Sequence, residues 1–449
     1  MPGDLSLRKT FLRVFIVLLG IILGCFFLTS CQKGKLEESP VSREAEVRPG
    51  VEVFIEKHLD LVGGKRVGLI TNPSGVDSQL KSTTSLLQVT PEVDLVALYG
   101  PEHGIRGNAQ AGEYVPFYFD DKYQLPVFSL YGQSLRPHPG MLKNIDDYMR
   151  SFDTQITGKV PEKNMIEEIE VMIFDIQDVG TRVYTYIATM AYAMEACAEL
   201  GIDFIVLDRP NPINGLFLEG AILKYPDFSS FVGLYPIPLR HGMTAGELAN
   251  LFNDRFLGKK VGLTVIPVEG WKREMWFDQT GLPWVMPSPN MPTLETATVY
   301  PGQVYLEGTN ISEGRGTTRP FELFGAPWID GHELSEKLNQ LGLPGVIFRE
   351  AWFTPSFSKF QGQLCGGCQL HITDRDSFAP FLTTLWIIRT VLDRYPDDFN
   401  FHPEYFDKIM GNSEIRQALQ SGLSPEEIVK SLESGLKEFE KLRKPFLLY

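Results

Sequence analysis

A glutamate and a histidine follow directly on an apolar stretch of the chain, in the segment LYGPEHGIRGNAQAG at residues 98–112. Both side chains can transfer protons, and the glycines around them allow a ligand to approach the backbone closely. We therefore predict that Glu102 acts as a general acid and that His103 belongs to the same catalytic group. The alternative is a structural one, in which the Glu102 carboxylate caps the turn that follows it.

Two further carboxyl groups lie in comparable polar loops and could take part in proton transfer. Glu313 lies in the segment NISEGRG, and Asp178 lies in DIQDVG. Each could have a structural task instead, since Glu313 has Arg315 and Arg319 close by in sequence. A sequence carries no distances, so both residues are kept as candidate partners of Glu102.

Arginine, asparagine and histidine side chains recur in the same loops. A planar guanidinium suits a carboxylate ligand, and an asparagine offers both a donor and an acceptor. The residues predicted to bind a ligand are Asn72, Arg106, Arg182, Arg209, Asn211, Asn214, Arg240, His241, Asn290, Asn310 and Arg315. For the arginines the alternative is a salt bridge to a nearby aspartate, and for the asparagines it is an Asx-turn.

The two histidines raise the question of a metal ion. His103 and His241 could bind one together with Asp175 or Asp178, but no HExxH or comparable spacing is present. No glycine-rich nucleotide-binding loop is present either. We therefore predict no metal and no other cofactor.

The elements that must position these loops are short apolar runs, namely RVGLIT, VDLVALY, PVFSLY, EVMIFDI and DFIVLD. Runs of this length are typical of strands buried on both faces of a parallel sheet. The segment YTYIATMAYAMEACAEL has apolar residues at helical spacing. This alternation predicts an α/β fold with a doubly wound, mostly parallel sheet. In such a sheet the loops after the strands meet at one edge, where ligands bind.

The pattern changes after about residue 262. Strand-like runs such as LTVIPV and GVIFREAWF alternate with helical segments, and Ser424 with Pro425 marks the start of a C-terminal helix. We predict an N-terminal domain at residues 50–262 and a smaller α+β domain at residues 263–449. The long polar stretch at residues 287–328 should face the first domain and close a cleft.

The N-terminus indicates export. Basic residues and the apolar run VFIVLLGIILGCFFL precede LTSC, which resembles the bacterial lipobox. We predict a signal peptide at residues 1–30, lipidation of Cys31 and a flexible tether at residues 31–49. The lipid would hold the protein at a membrane, facing the periplasm or the cell exterior. An uncleaved signal anchor is the alternative.

The net charge indicates which binding partners to expect, and the cysteines indicate which thiol chemistry to expect. A net charge of −14 argues against nucleic acid as a partner. Cys197 falls in the helical pattern and should pack in the core. Cys365 and Cys368 form a CGGC motif without a second CxxC, so we expect a disulfide or two free thiols and no redox catalysis.

Seven of these segments together resemble one family, the exo-β-N-acetylmuramidases. They are GLITNPSGVD, YGPEHGIRG, DIQDVGTRVYTYI, DRPNPING, PLRHGMTAGELA, SPNMPT and EGTNISEGRGTTRPFE, and the likeness covers about residues 50–449. The resemblance implies a Rossmann-like N-terminal domain, a smaller C-terminal domain and a cleft between them. It also implies release of N-acetylmuramic acid from the non-reducing end of peptidoglycan chains or fragments.

The resemblance gives the candidate residues more specific roles. Glu102 would protonate the leaving oxygen, Glu313 or Asp178 would assist, and an arginine would bind the lactyl carboxylate. Retaining, inverting and substrate-assisted chemistry all remain open. Aromatic residues could stack on the sugar, and these are Tyr99, Tyr131, Tyr184 and Trp328. Two other functions fit the same loops: a non-catalytic peptidoglycan-binding lipoprotein and a metal-dependent ester or amide hydrolase.

Overall fold

The computed structural model describes residues 47–132, 134–151 and 168–449. These residues all belong to one compact unit, Ala45–Tyr449. The predicted signal peptide at residues 1–30, the lipidation site Cys31 and most of the predicted tether therefore lie outside the described residues. Within the described ranges, no helix combines the length and apolar character needed to cross a membrane.

A seven-stranded sheet forms the centre of the molecule. Its strands are β1 (Arg66–Thr71), β2 (Asp94–Gly100), β3 (Tyr118–Asp120), β4 (Leu125–Ser129), β5 (Val171–Asp175), β6 (Asp203–Leu207) and β7 (Leu263–Ile266). They lie in the order β3-β4-β2-β1-β5-β6-β7, and every neighbouring pair is parallel except β3 with β4. The predicted α/β class with a mostly parallel sheet is confirmed.

Burial on both faces explains why these strands read as continuous apolar runs. In β5, Ile173 belongs to the apolar cluster on one face and Phe174 to the cluster on the other. In β6, Ile205 and Val206 divide in the same way. Successive side chains of a strand point to opposite faces, so a sheet covered on both sides needs apolar residues at every position.

Helices cover the sheet and build the rest of the molecule. In chain order they are α1 (Gly50–Lys57), α2 (Thr83–Val89), α3 (Ile145–Arg150), α4 (Tyr186–Leu200), α5 (Ala245–Arg255), α6 (Leu294–Gln303), α7 (Gly331–Gln340), α8 (Pro380–Arg394), α9 (Pro403–Met410), α10 (Glu414–Gln420) and α11 (Pro425–Arg443). Helix α11 begins where the sequence indicates, because the Ser424 side chain accepts from the Glu427 amide and Glu427 binds back to the Ser424 amide.

A second, antiparallel sheet contains three strands, β8 (Leu323–Ala326), β9 (Val346–Phe353) and β10 (Cys365–Ile372), in the order β8-β10-β9. Strand β7 does not belong to it. Residues 263–266 were expected in the second domain, but they pair in parallel with β6 and form the edge of the large sheet. The predicted boundary at residue 262 falls directly before this strand, and the division into two domains stays a prediction.

The CGGC motif lies in β10 and has a packing role. A side chain at Gly366 would meet the Ile329 carbonyl oxygen at 2.3 Å, and one at Gly367 would meet the Phe324 carbonyl oxygen at 2.0 Å. Both glycines are therefore required by close backbone contacts. Of the two outcomes expected, the structure shows free thiols: Cys365 and Cys368 are buried and unpaired, and burial raises their pKa to about 11 and about 12.

Candidate active site

A cavity of about 560 Å³ opens beyond the carboxyl ends of strands β2, β4 and β5. The early part of the chain contributes Glu102, His103, Tyr131, Tyr184 and Thr185 to its wall. The later part contributes Asn290, Tyr300, Glu307, Arg315, Tyr405 and Lys408. The loops after parallel strands thus meet at one edge, as predicted, and the polar stretch after residue 287 faces them.

Glu102 is held by two hydrogen bonds in the wall of this cavity. The backbone amide of Gly112 donates to Oε1 at 3.0 Å, and the hydroxyl of Thr185 donates to Oε2 at 2.7 Å. The side chain is 9% exposed, so it touches the cavity while most of it is removed from bulk water. Burial, the negative charge of Glu102 and a hydrogen bond to Glu102 together raise the pKa of Tyr131, which also lines the cavity.

His103 lies beside Glu102 as a neutral imidazole. Burial lowers its pKa, and the positive charge of Arg315 contributes to the lowering, against the opposing effects of Glu102 and Ala109. The Ala109 carbonyl lies 2.7 Å from Nδ1 and can only accept, so Nδ1 carries the proton and Nε2 is left as an acceptor. The backbone at His103 is left-handed, with φ of 73°.

Arg315 and Glu307 form the second charged pair of the wall. Arg315 donates from Nε and Nη2 to the same Glu307 oxygen, at 3.1 and 2.7 Å, and Tyr405 donates to the other oxygen at 2.9 Å. Burial alone would lower the pKa of Arg315, but the charges of Glu307 and Glu313 outweigh it and raise the pKa. Arg315 is therefore held in its charged form, and its hydrogen bonds to Glu307 fix both side chains in position.

Glu313, the predicted partner of Glu102, does not line the cavity. Its carboxylate is 2% exposed and lies 3.0 Å from the ammonium of Lys359 and 3.5 Å from Arg315. The structure thus gives Glu313 the ion-pair role that was its alternative. The second carboxylate on the cavity wall, in addition to that of Glu102, is Glu307. Sequence reasoning missed it, although it lies six residues before Glu313 in the same segment, YLEGTNISEGRG.

Asp178 and His241 lie together, away from the cavity wall. Asp178 Oδ2 accepts from the amide of Gly180 at 2.7 Å and lies 3.4 Å from His241 Nε2. The Met243 amide donates to His241 Nδ1 at 3.2 Å, so Nε2 carries the proton and faces the carboxylate. This arrangement organises the loop after β5, and it places neither residue against a ligand in the cavity.

Three of the five candidate arginines make structural contacts outside the cavity. Arg106 is two-thirds exposed and pairs with Asp120 at 3.0 Å. Arg209 binds both oxygens of the fully buried Asp175. Arg240 pairs with Glu219 at 2.7 Å. Arg106 and Arg209 thus have an aspartate partner, as their alternative interpretation required, whereas Arg240 has a glutamate partner.

Arg182 has a different structural role, since it binds backbone and no carboxylate. Its guanidinium is 1% exposed and donates to the carbonyl oxygens of Ala221, Ile237, Ile409 and Met410, at 2.8 to 3.1 Å. Burial lowers its pKa. The last two carbonyls belong to the end of α9, so Arg182 fixes this helix against the loop after β5.

The asparagines divide in a similar way. Asn290 lines the cavity and donates to Gln110 at 3.3 Å. The other four lie elsewhere and bind neighbouring backbone groups in turns and loop contacts; they are Asn72, Asn211, Asn214 and Asn310. The Asx-turn alternative therefore describes most of them.

Aromatic side chains supply much of the remaining wall. Tyr131 and Tyr184 line the cavity as proposed, whereas Tyr99 is buried against Phe128 in the core and Trp328 packs on Tyr395. Tyr186, Tyr300, Phe231 and Phe321 add to the aromatic surface. A helical pattern that looked like core packing thus delivers Tyr184 to the site, because α4 begins only at Tyr186.

The described residues contain no group of three or more histidine, cysteine, aspartate or glutamate side chains arranged to hold a metal ion. His103 and His241 lie in separate environments, one on the cavity wall and one beside Asp178. The metal-dependent alternative therefore has no ligand set in the part of the chain that the structure describes.

Carboxyl groups in an aromatic cavity, at the loop edge of a Rossmann-like sheet, are typical of hydrolases that act on carbohydrate. Comparison with known families makes this specific. The family model for the N-terminal region of "Exo-beta-N-acetylmuramidase NamZ" matches residues 67–158 and 152–295, and the model for its C-terminal region matches residues 298–449. The chain belongs to this family of glycoside hydrolases.

Individual relatives agree with the family assignment. The chain is 50% identical over 444 residues to the peptidoglycan beta-N-acetylmuramidase NamZ of Bacillus subtilis, covering 99% of this chain and all of that one. Two crystal structures of DUF1343 family proteins from Bacteroides fragilis are similar to the fold, with TM-scores of 0.79 and 0.69 and identities of 38% and 29%. In both comparisons 90% of this chain and 99% of the other are covered.

Proposed function

We propose that the cavity around Glu102 is the active site of an exo-β-N-acetylmuramidase, in which one terminal N-acetylmuramic acid is released from the non-reducing end of a peptidoglycan chain or fragment. The observation that carries this proposal is the position of Glu102, a mostly buried carboxyl group on the wall of an aromatic cavity. A volume of about 560 Å³ suits the enclosure of a chain end, in keeping with exo action.

Glu102 transfers the proton. As an acid it protonates the oxygen of the departing sugar, and as a base it then takes a proton from water. The Thr185 hydroxyl, 2.7 Å from Oε2, can donate to the carboxylate and accept from the carboxylic acid, so it holds the side chain in both protonation states. The Gly112 amide can only donate, and it fixes the other oxygen.

Glu307 supplies negative charge to the same cavity. The transition state of glycoside hydrolysis carries positive charge on the sugar ring, and a fixed carboxylate stabilises that charge. Arg315 and Tyr405 occupy both oxygens of Glu307, which makes electrostatic stabilisation a better role for it than nucleophilic attack. The acetamido group of the substrate is then available as the internal nucleophile.

Hydrolysis of 4-nitrophenyl β-N-acetylmuramide by protein lacking residues 1–31 tests the proposal. Wild-type protein should release nitrophenol, and Glu102→Gln should lower kcat by about 100-fold or more with unchanged thermal unfolding. Glu113→Gln is the matched control, since Glu113 is an exposed carboxylate of the same loop. Absence of hydrolysis in the wild-type protein, or a normal kcat in the Glu102→Gln variant, would contradict the proposal.

The non-catalytic peptidoglycan-binding alternative predicts a different result for the same protein: saturable binding of muropeptides without product. The metal-dependent alternative predicts loss of activity on treatment with a chelator and recovery with zinc. Membership in a family of glycoside hydrolases supports neither.

We also propose that the protein is an exported lipoprotein whose Cys31 carries the lipid. The sequence LTSC and the preceding apolar run support this, and the residues concerned lie outside the described ranges. Expression of the full chain in a bacterium fed with labelled palmitate should label the wild-type protein, which should sediment with membranes. Cys31→Ser should abolish the label; a label that persists in this variant would contradict the assignment.

A further inference from the structure

The substrate of the proposed reaction carries a carboxylate of its own, on the lactyl group, and the protein is strongly acidic, with a net charge of −14. Binding such an anion requires a cation at the cavity that is not already neutralised. Two permanently charged cations line the cavity, Arg315 and Lys408, because burial holds His103 neutral. The question is which of the two is available.

Arg315 is already neutralised by protein carboxylates. It makes two hydrogen bonds to Glu307, and its Nε also lies 3.5 Å from Glu313, whose second partner is Lys359. Arg315 therefore already has two carboxylate partners within the protein. An additional carboxylate placed beside Arg315 would meet the negative charges of Glu307 and Glu313 at short range.

Lys408 has no such partner. Within residues 47–132, 134–151 and 168–449, no acidic side chain forms an ion pair with its ammonium group. Its neighbour Asp407 is bound at both oxygens by Arg416, and Glu404, one helical turn earlier, makes no ion pair with Lys408. Lys408 is therefore the cation of the cavity wall whose charge is left for a ligand.

The backbone that carries Lys408 is held in place by the surrounding structure, and the Lys408 side chain is exposed. It lies on α9, one turn after Tyr405, so both side chains occupy the same face of the helix above the cavity. The carbonyls of Ile409 and Met410, the next two residues, accept hydrogen bonds from the buried Arg182. A lysine in the last turn also interacts favourably with the helix dipole, but this does not require a place on the cavity wall.

We propose that the ammonium of Lys408 binds the lactyl carboxylate of the terminal N-acetylmuramic acid and thereby selects this sugar over N-acetylglucosamine. The inference rests on the proposed function and deepens it. It assigns the task expected of the arginines to a lysine from a helix near the end of the chain.

Two substrates that differ only in the lactyl group test this inference: 4-nitrophenyl β-N-acetylmuramide and its lactyl methyl ester. Lys408→Gln should lower kcat/KM for the free acid by about 10- to 100-fold, mainly through KM, and should change it less than about threefold for the ester. Lys408→Arg should restore part of the loss. Lys430→Gln, an exposed lysine of α11, is the matched control.

The outcomes distinguish the role of Lys408 from the proposed muramidase function. Equal losses on acid and ester in Lys408→Gln, or no loss on either, would overturn the role of Lys408 while leaving the muramidase function in place. A wild-type protein that cleaves neither substrate would overturn the proposed function, and the assignment of Lys408 with it. A selective loss on the acid supports both.

Discussion

Thr185 donates its hydroxyl hydrogen to Oε2 of Glu102 across 2.7 Å, joining residues 83 positions apart in the chain. Glu102 follows β2, and Thr185 lies in the loop that leads from β5 into α4. The two strands are separated by β1 in the sheet, so the contact exists because parallel strands deliver their loops to one edge. Removing the hydroxyl should affect the carboxyl group of Glu102 without disturbing the fold.

The first prediction follows from this bond. Thr185→Val keeps the shape of the side chain but leaves Oε2 without its donor, and kcat should fall by about 10- to 100-fold with little change in KM. Steady-state kinetics on the nitrophenyl substrate give both constants. Thr185→Ser retains the hydroxyl and should keep most of the activity; a Thr185→Val enzyme with normal kcat would show that the bond has no catalytic part.

The second prediction separates the two carboxylates of the YLEGTNISEGRG segment. Glu307→Gln should lower kcat by about 100-fold, because the cavity loses its fixed negative charge. Glu313→Gln should mainly lower the free energy of unfolding, by roughly 1–3 kcal/mol, because Lys359 and Arg315 lose a buried partner. Kinetics and urea unfolding on both variants decide the matter. If Glu313→Gln were the catalytically deficient one, the assignment would be reversed.

A third prediction compares two arginines that the sequence presented as equals. Arg182→Met should lower the free energy of unfolding by roughly 2–5 kcal/mol, because four backbone carbonyls lose their buried donor. Arg106→Met removes an exposed guanidinium from Asp120 and from the Tyr118 ring. It should cost less than about 1 kcal/mol, because Asp120 keeps its hydrogen bonds from the amides of Lys122 and Tyr123. Chemical unfolding curves provide the test, and similar losses in the two variants would refute it.

The fourth prediction concerns pH. Burial raises the pKa of Asp208 from 3.8 to about 6, despite hydrogen bonds from Thr244 and Tyr449 that favour the charged form. Between these two values the folded protein holds a proton that the unfolded chain has released. Asp208 therefore contributes stability below pH 3.8 that is lost as the pH rises through about 6, amounting to about 3 kcal/mol.

The measurement is the difference in free energy of unfolding between wild-type protein and Asp208→Asn across this range. An asparagine cannot ionise, so the difference should change by about 3 kcal/mol between pH 4 and pH 7, with the wild-type protein losing relative stability as the pH rises. Parallel curves for the two proteins would show that Asp208 does not titrate in this window.

Much of the fold could be predicted, because buried strands and helix faces give recognisable apolar patterns in the sequence. The run RVGLIT coincides with β1, because a strand covered on both faces appears in the sequence as an unbroken apolar run. Helix α11 was located by its cap, a purely local interaction. The run LTVIPV was recognised as a strand, but its pairing with β6 was not predicted, because a short apolar run does not show which strand it pairs with.

The site residues were harder to predict from the sequence, because contacts between distant parts of the chain decide which of them face the cavity. Glu307 and Glu313 lie six residues apart in one polar segment, and which of them faces the cavity is decided by Lys359, 46 residues after Glu313. Arg182 binds only backbone carbonyls, which leave no trace in the sequence. Lys408 went unnoticed because a lysine near a helix end is ordinary there. The roles of Glu102 and His103 stay predictions, although the structure places both on the cavity wall.

The residues that line the cavity range from Glu102 to Ile409 in the chain. A hydrogen bond from Arg182 to the Ile409 carbonyl holds the segment around Ile409 against the loop after β5. Contacts between such distant parts of a chain form late in folding, because the long loops between them must close first. A molecule that has reached only a folding intermediate, in which these distant segments are not yet packed together, would lack the complete cavity wall. Hydrolysis of a chromogenic substrate therefore also reports complete refolding. It is a more stringent test than recovery of the far-UV circular-dichroism signal of the helices.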